Sequence, residues 1–554
     1  MRKVFSIVFL LSFFYSYSQD FIEKAQVNGS FQLDGQYYHA DNAIGINDST
    51  IDGRKLGLNG FGNISYTLGK FSAGVRYEAF LTPIAGFDPL QQGNGVPYMW
   101  ASYQSDFIGV TVGNFYEQFG NGLILRTYEE WTLGYDNSLN GMKLVIRPAT
   151  GITVKAVYGS QRYYWQKFEN GNRGIVRGLD AEIDLNSTIK GWESAPVRVI
   201  FGASGVSKYQ KDSDPLFNLP ENVSAFAGRM NLSAGKFNFA TEYANKINDP
   251  SAINNFIYKE GQAVLSSLSF SQPGLGVVLQ LKRVDNMSFK SDRGVDGNAL
   301  DINFLPPINR THSYSLAARY PYATQPNGEM GMQFQLNYKI PKGSKLGGKY
   351  GTGVAVNFSQ VNDIVRNPIN DTTPVNSQGT LGYESDFFKV SDHIFFRDLN
   401  IEINKKFSRK WKAVVQYMNL YYDIATIEGH AGEEPVKANI GLVDVTYNIS
   451  NRNSLRLELQ GLFTEQDDGD WAAAMLEYTI APTWFFTIAD QYNYGHPDKS
   501  QQNHYYTFSL GYVKQASRIA LTYGRQSEGV ICIGGVCRQV PASSGLTISL
   551  STSF

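Results

Sequence analysis

The sequence predicts an all-β fold: one large, closed, antiparallel transmembrane barrel of about 24 strands (roughly 22 to 26), with short turns on one rim, long loops on the other, and no N-terminal plug domain. Three observations predict it. Segments of about ten residues alternate apolar and polar side chains along the chain, the period of a strand with one oily face. The connections between them alternate short and long. The last segment, 546–554, ends on an aromatic residue, Phe554.

Residues 1–18 read as a secretory signal peptide. Arg2 and Lys3 form a positive start, Val4 to Phe14 an apolar stretch, and Ser16 and Ser18 the small residues before a cleavage site. The apolar stretch is short of the roughly 20 residues that a spanning helix needs. Residues 19–554 are then the barrel, with alternation beginning by Val27. Any sheet crossing a bilayer must close on itself, because lipid cannot satisfy unpaired edge groups.

The first strand sets Val27, Phe31, Leu33 and Tyr37 against Asn28, Ser30, Gln32, Asp34 and Gln36. Further on, Leu399, Ile401 and Ile403 oppose Asn400, Glu402 and Asn404, and Leu455, Leu457 and Leu459 oppose Arg456, Glu458 and Gln460. Tight turns are expected at 68–70, 105–106, 149–151, 234–236, 272–274, 408–410, 450–453, 481–483 and 515–517, where Gly, Asn, Ser and Pro recur. Long loops are expected at 39–55, 82–96, 115–141, 162–174, 207–222, 285–329, 362–397, 423–436 and 530–543. A sandwich has no reason to segregate its connections this way. Two stretches resist assignment: 311–320 reads as strand or loop, and alternation is poor over 96–116. The final strand must pair with 27–37 to close the sheet, and its terminal Phe554 resembles the C-terminal signal that outer-membrane barrels present to their assembly machinery.

Composition agrees. Aromatic residues make up 14% of the chain, with 34 Tyr, 35 Phe and 54 Gly, while hydrophobic residues reach only 42%. Interfacial aromatic girdles and a polar lumen produce that combination. With 49 basic against 50 acidic residues, no net charge favours nucleic acid, and no nucleic-acid partner is expected.

Twenty-four strands spaced ~4.8 Å apart and tilted by ~40° give a circumference of about 150 Å and a diameter of roughly 48 Å. Something must fill that hole: long loops, a flattened barrel, or a partner protein. The loop 114–141 carries most of the signal. It mixes aromatics with Glu117, Arg126, Glu129, Glu130 and Asp136, and Gly120 and Gly122 allow a sharp bend. One reading is an inward constriction in which Arg126 faces Glu129 and Glu130 across the lumen, with Arg162, Arg173 and Arg177 as further lumen candidates. The other is a loop that packs on the inner wall as filling.

The segments VTVGNFYEQFGNGLILRTYEE and GYDNSLNGMK, with GIVRGLDAEIDL (174–185) and RYPYATQPNGE (319–329), resemble an uncharacterised outer-membrane β-barrel family of Bacteroidota, a domain of unknown function. The resemblance runs over nearly the full mature length. It implies the barrel fold and the outer membrane, and no activity or catalytic residues.

Little chemistry stands out elsewhere. The six histidines lie in or beside long loops without metal-ligand spacing, so no enzyme and no cofactor is expected. Asp467, Asp468 and Asp470 surround a Gly turn that calcium would suit, although the spacing is not that of a known calcium loop. Lys342, Lys345 and Lys349 make a basic turn on the short-turn rim, either a docking point or a solvated turn. Cys532 and Cys537 are the only cysteines; without a nearby His they make a poor zinc pair, so a local disulfide is expected in an oxidising compartment.

The expected partners are therefore the outer-membrane lipid bilayer, the barrel-assembly machinery, and other outer-membrane or periplasmic subunits. Three functions fit: a plugless or loop-occluded solute conduit, an accessory subunit of a larger outer-membrane assembly serving export or barrel biogenesis, and a surface-loop adhesin.

Overall fold

The structure is a computed structural model, and it describes residues 25–47, 55–165, 174–533 and 536–554. The expected signal peptide and Arg173 lie outside the described residues. Twenty-four strands form one sheet. Each pairs antiparallel with the next along the chain, and the first strand (Gln26–Tyr38) pairs with the last (Ser543–Ser553) from Ser30↔Ser553 to Tyr38↔Gly545. The sheet is thus a closed up-and-down barrel, and the pairing of 546–554 with 27–37 is as expected.

Each expected tight turn joins two strands on one rim and the expected long loops lie on the opposite one, while 185–196 and 341–351 are longer connections on the tight-turn rim. Period two accounts for both faces of the wall. In the strand Phe71–Thr82, Val75 and Tyr77 are 47% and 48% exposed, while Arg76 and Glu78 are 3% and 2% exposed. Apolar side chains along the other strands repeat this outward exposure, the surface that lipid covers in a barrel.

Two stretches left open are resolved, and two details depart from the expectation. Residues 96–116 form two strands, Gly93–Gln104 and Ile108–Phe115; a register shift between Arg76 and Glu78 on the neighbouring strand disturbs the period there. Residues 311–320 are not strand but part of the connection 286–327. The expected loop 362–397 is partly strand, since Thr352–Asn367 and Glu384–Lys406 run on with shifted register. Residues 185–196, 247–260 and 493–506 are connections outside the expected turns and loops, although each carries Pro with Gly, Asn or Asp.

The lumen is filled from within. Two long connections fold inward from the rim and build two apolar clusters on the wall. In the first, Phe119, Leu123, Ile124 and Leu125, with Met287, Phe289 and Ile302, are buried against wall residues from Phe115 round to Val284. In the second, Ile308, Leu316, Tyr320 and Tyr322 are buried against wall residues from Val361 round to Ala473. The connection 286–327 is therefore a strap that leaves one arc of wall and ends packed on another.

Candidate functional site

Charged side chains on the lumen face of the wall hold the strap. Lys208 donates to the Lys290 carbonyl at 2.8 Å and Lys246 to the Ser288 carbonyl, and both cations share Asp249. Lys282 donates to the Pro306 carbonyl at 2.7 Å and to Thr324 Oγ1 at 2.8 Å, and pairs with Glu329. On the far arc, Arg310 pairs with Glu402, His312 Nε2 lies 2.9 Å from Asp398, Tyr314 donates to Asp444 at 3.1 Å, and the Leu316 amide donates to Gln460 Oε1 at 3.0 Å. Buried polar groups need such partners.

The loop 116–138 docks on the strap and on the wall together. The Arg126 amide donates to the Ile302 carbonyl at 2.8 Å, and the Phe304 amide to the Gly122 carbonyl at 2.9 Å. Gly120 has φ +52, and a Cβ there would lie 2.4 Å from the Glu242 carboxylate. That closeness lets the Asn121 amide donate to Glu242 at 2.7 Å.

At the outer end of the lumen the same loop meets the wall in a cluster of two arginines and three carboxylates. Arg76 pairs with Glu129 and Asp136, and its Nε lies 2.7 Å from Glu78. Arg162 binds both oxygens of Glu78, at 2.6 and 2.8 Å, and Asp136 at 2.7 Å. Tyr116 donates to Glu129 at 2.9 Å, and the Arg76 guanidinium lies 4.6 Å from the Tyr98 ring centre. Burial alone would raise the Asp136 pKa, but Arg162 and then Arg76 outweigh it and hold the carboxyl below its ordinary value. The cluster borders a cavity of 350 Å³ whose aromatic lining includes Phe61, Phe80, Trp131 and Trp165.

Of the residues singled out in the sequence, Glu129, Asp136 and Arg162 come together here. Arg76 and Glu78, the centre of the cluster, were not singled out; their signal is a charged pair two apart on the lumen face of an otherwise apolar strand. Arg126 does not oppose Glu129 and Glu130. Its guanidinium lies between the Tyr128 and Phe304 rings, at 4.4 and 3.9 Å, where cation–π attraction holds it. Glu130 accepts from the Thr132 amide at 3.2 Å and caps a short helical turn. Glu117 pairs with Lys155 at 2.8 Å and Lys143 at 3.4 Å. Arg177 shares the outward face with Leu179, opposite the buried Val176, and donates to Asn222 at 2.8 Å; it does not line the lumen.

The acidic turn is a tether for the strap. Asp468 pairs with Arg319, Asp467 accepts from Tyr320 at 2.8 Å, and Asp470 accepts from the Thr464 amide at 2.9 Å. Among the described residues no group of side chains is arranged to hold a metal ion. The three lysines of 341–352 are exposed. Cys532 and Cys537 stand directly opposite each other in a small outer hairpin, Gly529–Ile533 with Val536–Val540.

Comparison with solved structures finds barrels from several outer-membrane systems. The siderophore receptor PirA from Pseudomonas aeruginosa is 10% identical with a TM-score of 0.41, over 96% of this chain and 80% of that one. The P pilus usher PapC translocation pore is 10% identical with a TM-score of 0.38, over 95% and 99%. OccAB4 from Acinetobacter baumannii is 10% identical with a TM-score of 0.32, over 84% and 98%. Comparison with curated proteins gives no match. A family model described as "Family of unknown function (DUF6029)" matches residues 1–554, and the chain belongs to that family.

Proposed function

We propose that the protein is an integral outer-membrane barrel that serves as a solute conduit, with its lumen occluded at rest by its own strap and inward loop. The observation that carries this reading is how the filling is attached. The strap meets the wall through hydrogen bonds that Lys208, Lys246 and Lys282 donate to its carbonyls, through Arg310 with Glu402 and His312 with Asp398, and through apolar packing. A barrel of this circumference without filling would breach the membrane. Filling made of connections that dock by side-chain contacts and single hydrogen bonds can be displaced without unzipping any wall strand, because every wall strand keeps its own two ladders.

Short turns face the periplasm in this reading and the strap lies toward the outside, the layout of outer-membrane barrels. Swelling of proteoliposomes in solutes of graded size tests it. The wild type is expected to admit small solutes slowly, and a variant whose residues 308–322 are replaced by a short Gly/Ser linker is expected to admit larger ones faster. Equal swelling of the two proteins contradicts the reading. Stoichiometric co-purification of a second protein in mild detergent, with no swelling by either form, favours the accessory-subunit reading instead.

A further inference from the structure

The cavity beside the arginine–carboxylate cluster has a third guanidinium on its lining, Arg538, carried by the outer hairpin that contains the two cysteines. Arg76 and Arg162 share Glu78, Glu129 and Asp136. Among the described residues Arg538 has no such carboxylate. Its Nε and Nη1 are buried and meet no hydrogen-bond partner, and its guanidinium lies 4.1 Å from the centre of the Phe87 ring. Burial pulls its pKa down, and only the Tyr38 hydroxyl acts the other way.

The hairpin is held in place by contacts that leave this charge unused. Gly86 has φ +84 and lies under the hairpin so closely that a Cβ would approach the Gln539 carbonyl oxygen to 2.9 Å. Asn298 of the strap donates to the Cys537 carbonyl at 2.9 Å. A half-buried guanidinium that has a ring beneath it but lacks hydrogen-bond acceptors at Nε and Nη1 gains when a counter-ion reaches it.

We propose that the cavity binds a small carboxylate-bearing solute, with Arg538 as the counter-ion of the carboxylate. The volume of 350 Å³ sets the size, at the small end of ligand pockets. The rest of the lining narrows the class. Three carboxylates there face two arginines, and Asp88 and Asp296 also line the cavity, so negative charge is in excess away from Arg538. That excess disfavours dicarboxylates and suits a solute with a cation as well as a carboxylate. A free amino acid or short peptide fits this better than a sugar acid, and Phe61, Phe80, Trp131 and Trp165 offer apolar faces to its body. The inference stands whether or not the barrel conducts, since binding is read at equilibrium.

Titration calorimetry on the full-length protein in detergent tests it, with three sets of probes: the twenty amino acids, their amides, and galacturonate with succinate. At least one amino acid is expected to bind, with its amide at least tenfold weaker and succinate silent. R538Q is expected to weaken that binding at least tenfold, while R518Q, on an exposed position of a wall strand, leaves it unchanged. Where R538Q does not fold, R538K keeps the charge but loses the planar fork, and is expected to bind at least threefold more weakly. Silence of every acid, equal binding of acid and amide, or an unchanged affinity in the folded Arg538 variants overturns the proposal. Binding of galacturonate with the amino acids silent overturns the zwitterion and supports the carboxylate site.

Discussion

Phe554 and Gly29 form a reciprocal pair at the seam of the barrel. The Gly29 amide donates to the Phe554 carbonyl at 3.0 Å, and the Phe554 amide to the Gly29 carbonyl at 2.9 Å. The ring of Phe554 covers the glycine so closely that a Cβ on Gly29 would lie 2.3 Å from Cζ. The last residue of the chain thus ends the seam with backbone bonds and with an aromatic laid over a strand glycine.

That pairing predicts a coupled effect. Gly29→Val is expected to destabilise the barrel by about 1–3 kcal/mol through overpacking, and Phe554→Ala to relieve most of that cost in the double variant. Urea unfolding in detergent micelles measures both. Strictly additive effects would show that the ring does not occupy the space over Gly29.

The arginine–carboxylate cluster predicts a ranking. Arg76 is 3% exposed and Glu78 2%, so Arg76→Leu leaves buried carboxylates short of a partner, at a cost of about 3 kcal/mol. Arg162 sits at the cavity edge with 12% side-chain exposure, and Arg162→Leu is expected to cost less. Thermal melts in detergent give the order, and a larger loss from Arg162→Leu contradicts the assignment of Arg76 as the centre.

Asp301 of the strap predicts a pH dependence. Burial raises its pKa, Lys290 lowers it only in part, and the carboxyl stands at about 6 against an ordinary 3.8. A raised folded-state value favours the protonated group, so its contribution to stability is full below pH 3.8 and is lost as pH rises through about 6. The stability of wild type relative to Asp301→Asn should therefore fall between pH 4 and 7, by melts in matched buffers. A flat difference across that range would remove the effect.

Cys532 and Cys537 face each other in the register of a cross-strand disulfide. Protein isolated from an oxidising compartment is expected to show no free thiol on denaturation, and two after reduction. Two thiols before reduction would rule the bond out.

The wall of this barrel was legible because a strand in lipid has one rule per residue. Leu546, Ile548 and Leu550 alternate with Thr547, Ser549 and Ser551, which marks the last strand, and closure of the sheet then assigns its partner. The filling follows no such rule. Residues 311–320 carry a half-alternating pattern that suits a strand, yet His312, Tyr314 and Leu316 are spent on Asp398, Asp444 and Gln460 from three different wall strands. Inward charges such as Arg76 and Glu78 look like ordinary lumen residues until the loop that brings Glu129 and Asp136 is in place. The Asp467–Asp468 turn suggested calcium because the sequence does not show that Tyr320 and Arg319 come to it from almost 150 residues away.

The central claim is that the strap closes an otherwise open lumen. Single-channel recording in planar bilayers tests it most directly, on wild type and on a variant with residues 306–324 replaced by a short Gly/Ser linker, each first shown to be folded by its heat-modifiable migration. The account predicts small or rare openings from the wild type and a large, steady conductance from the variant. A folded variant as silent as the wild type would contradict it.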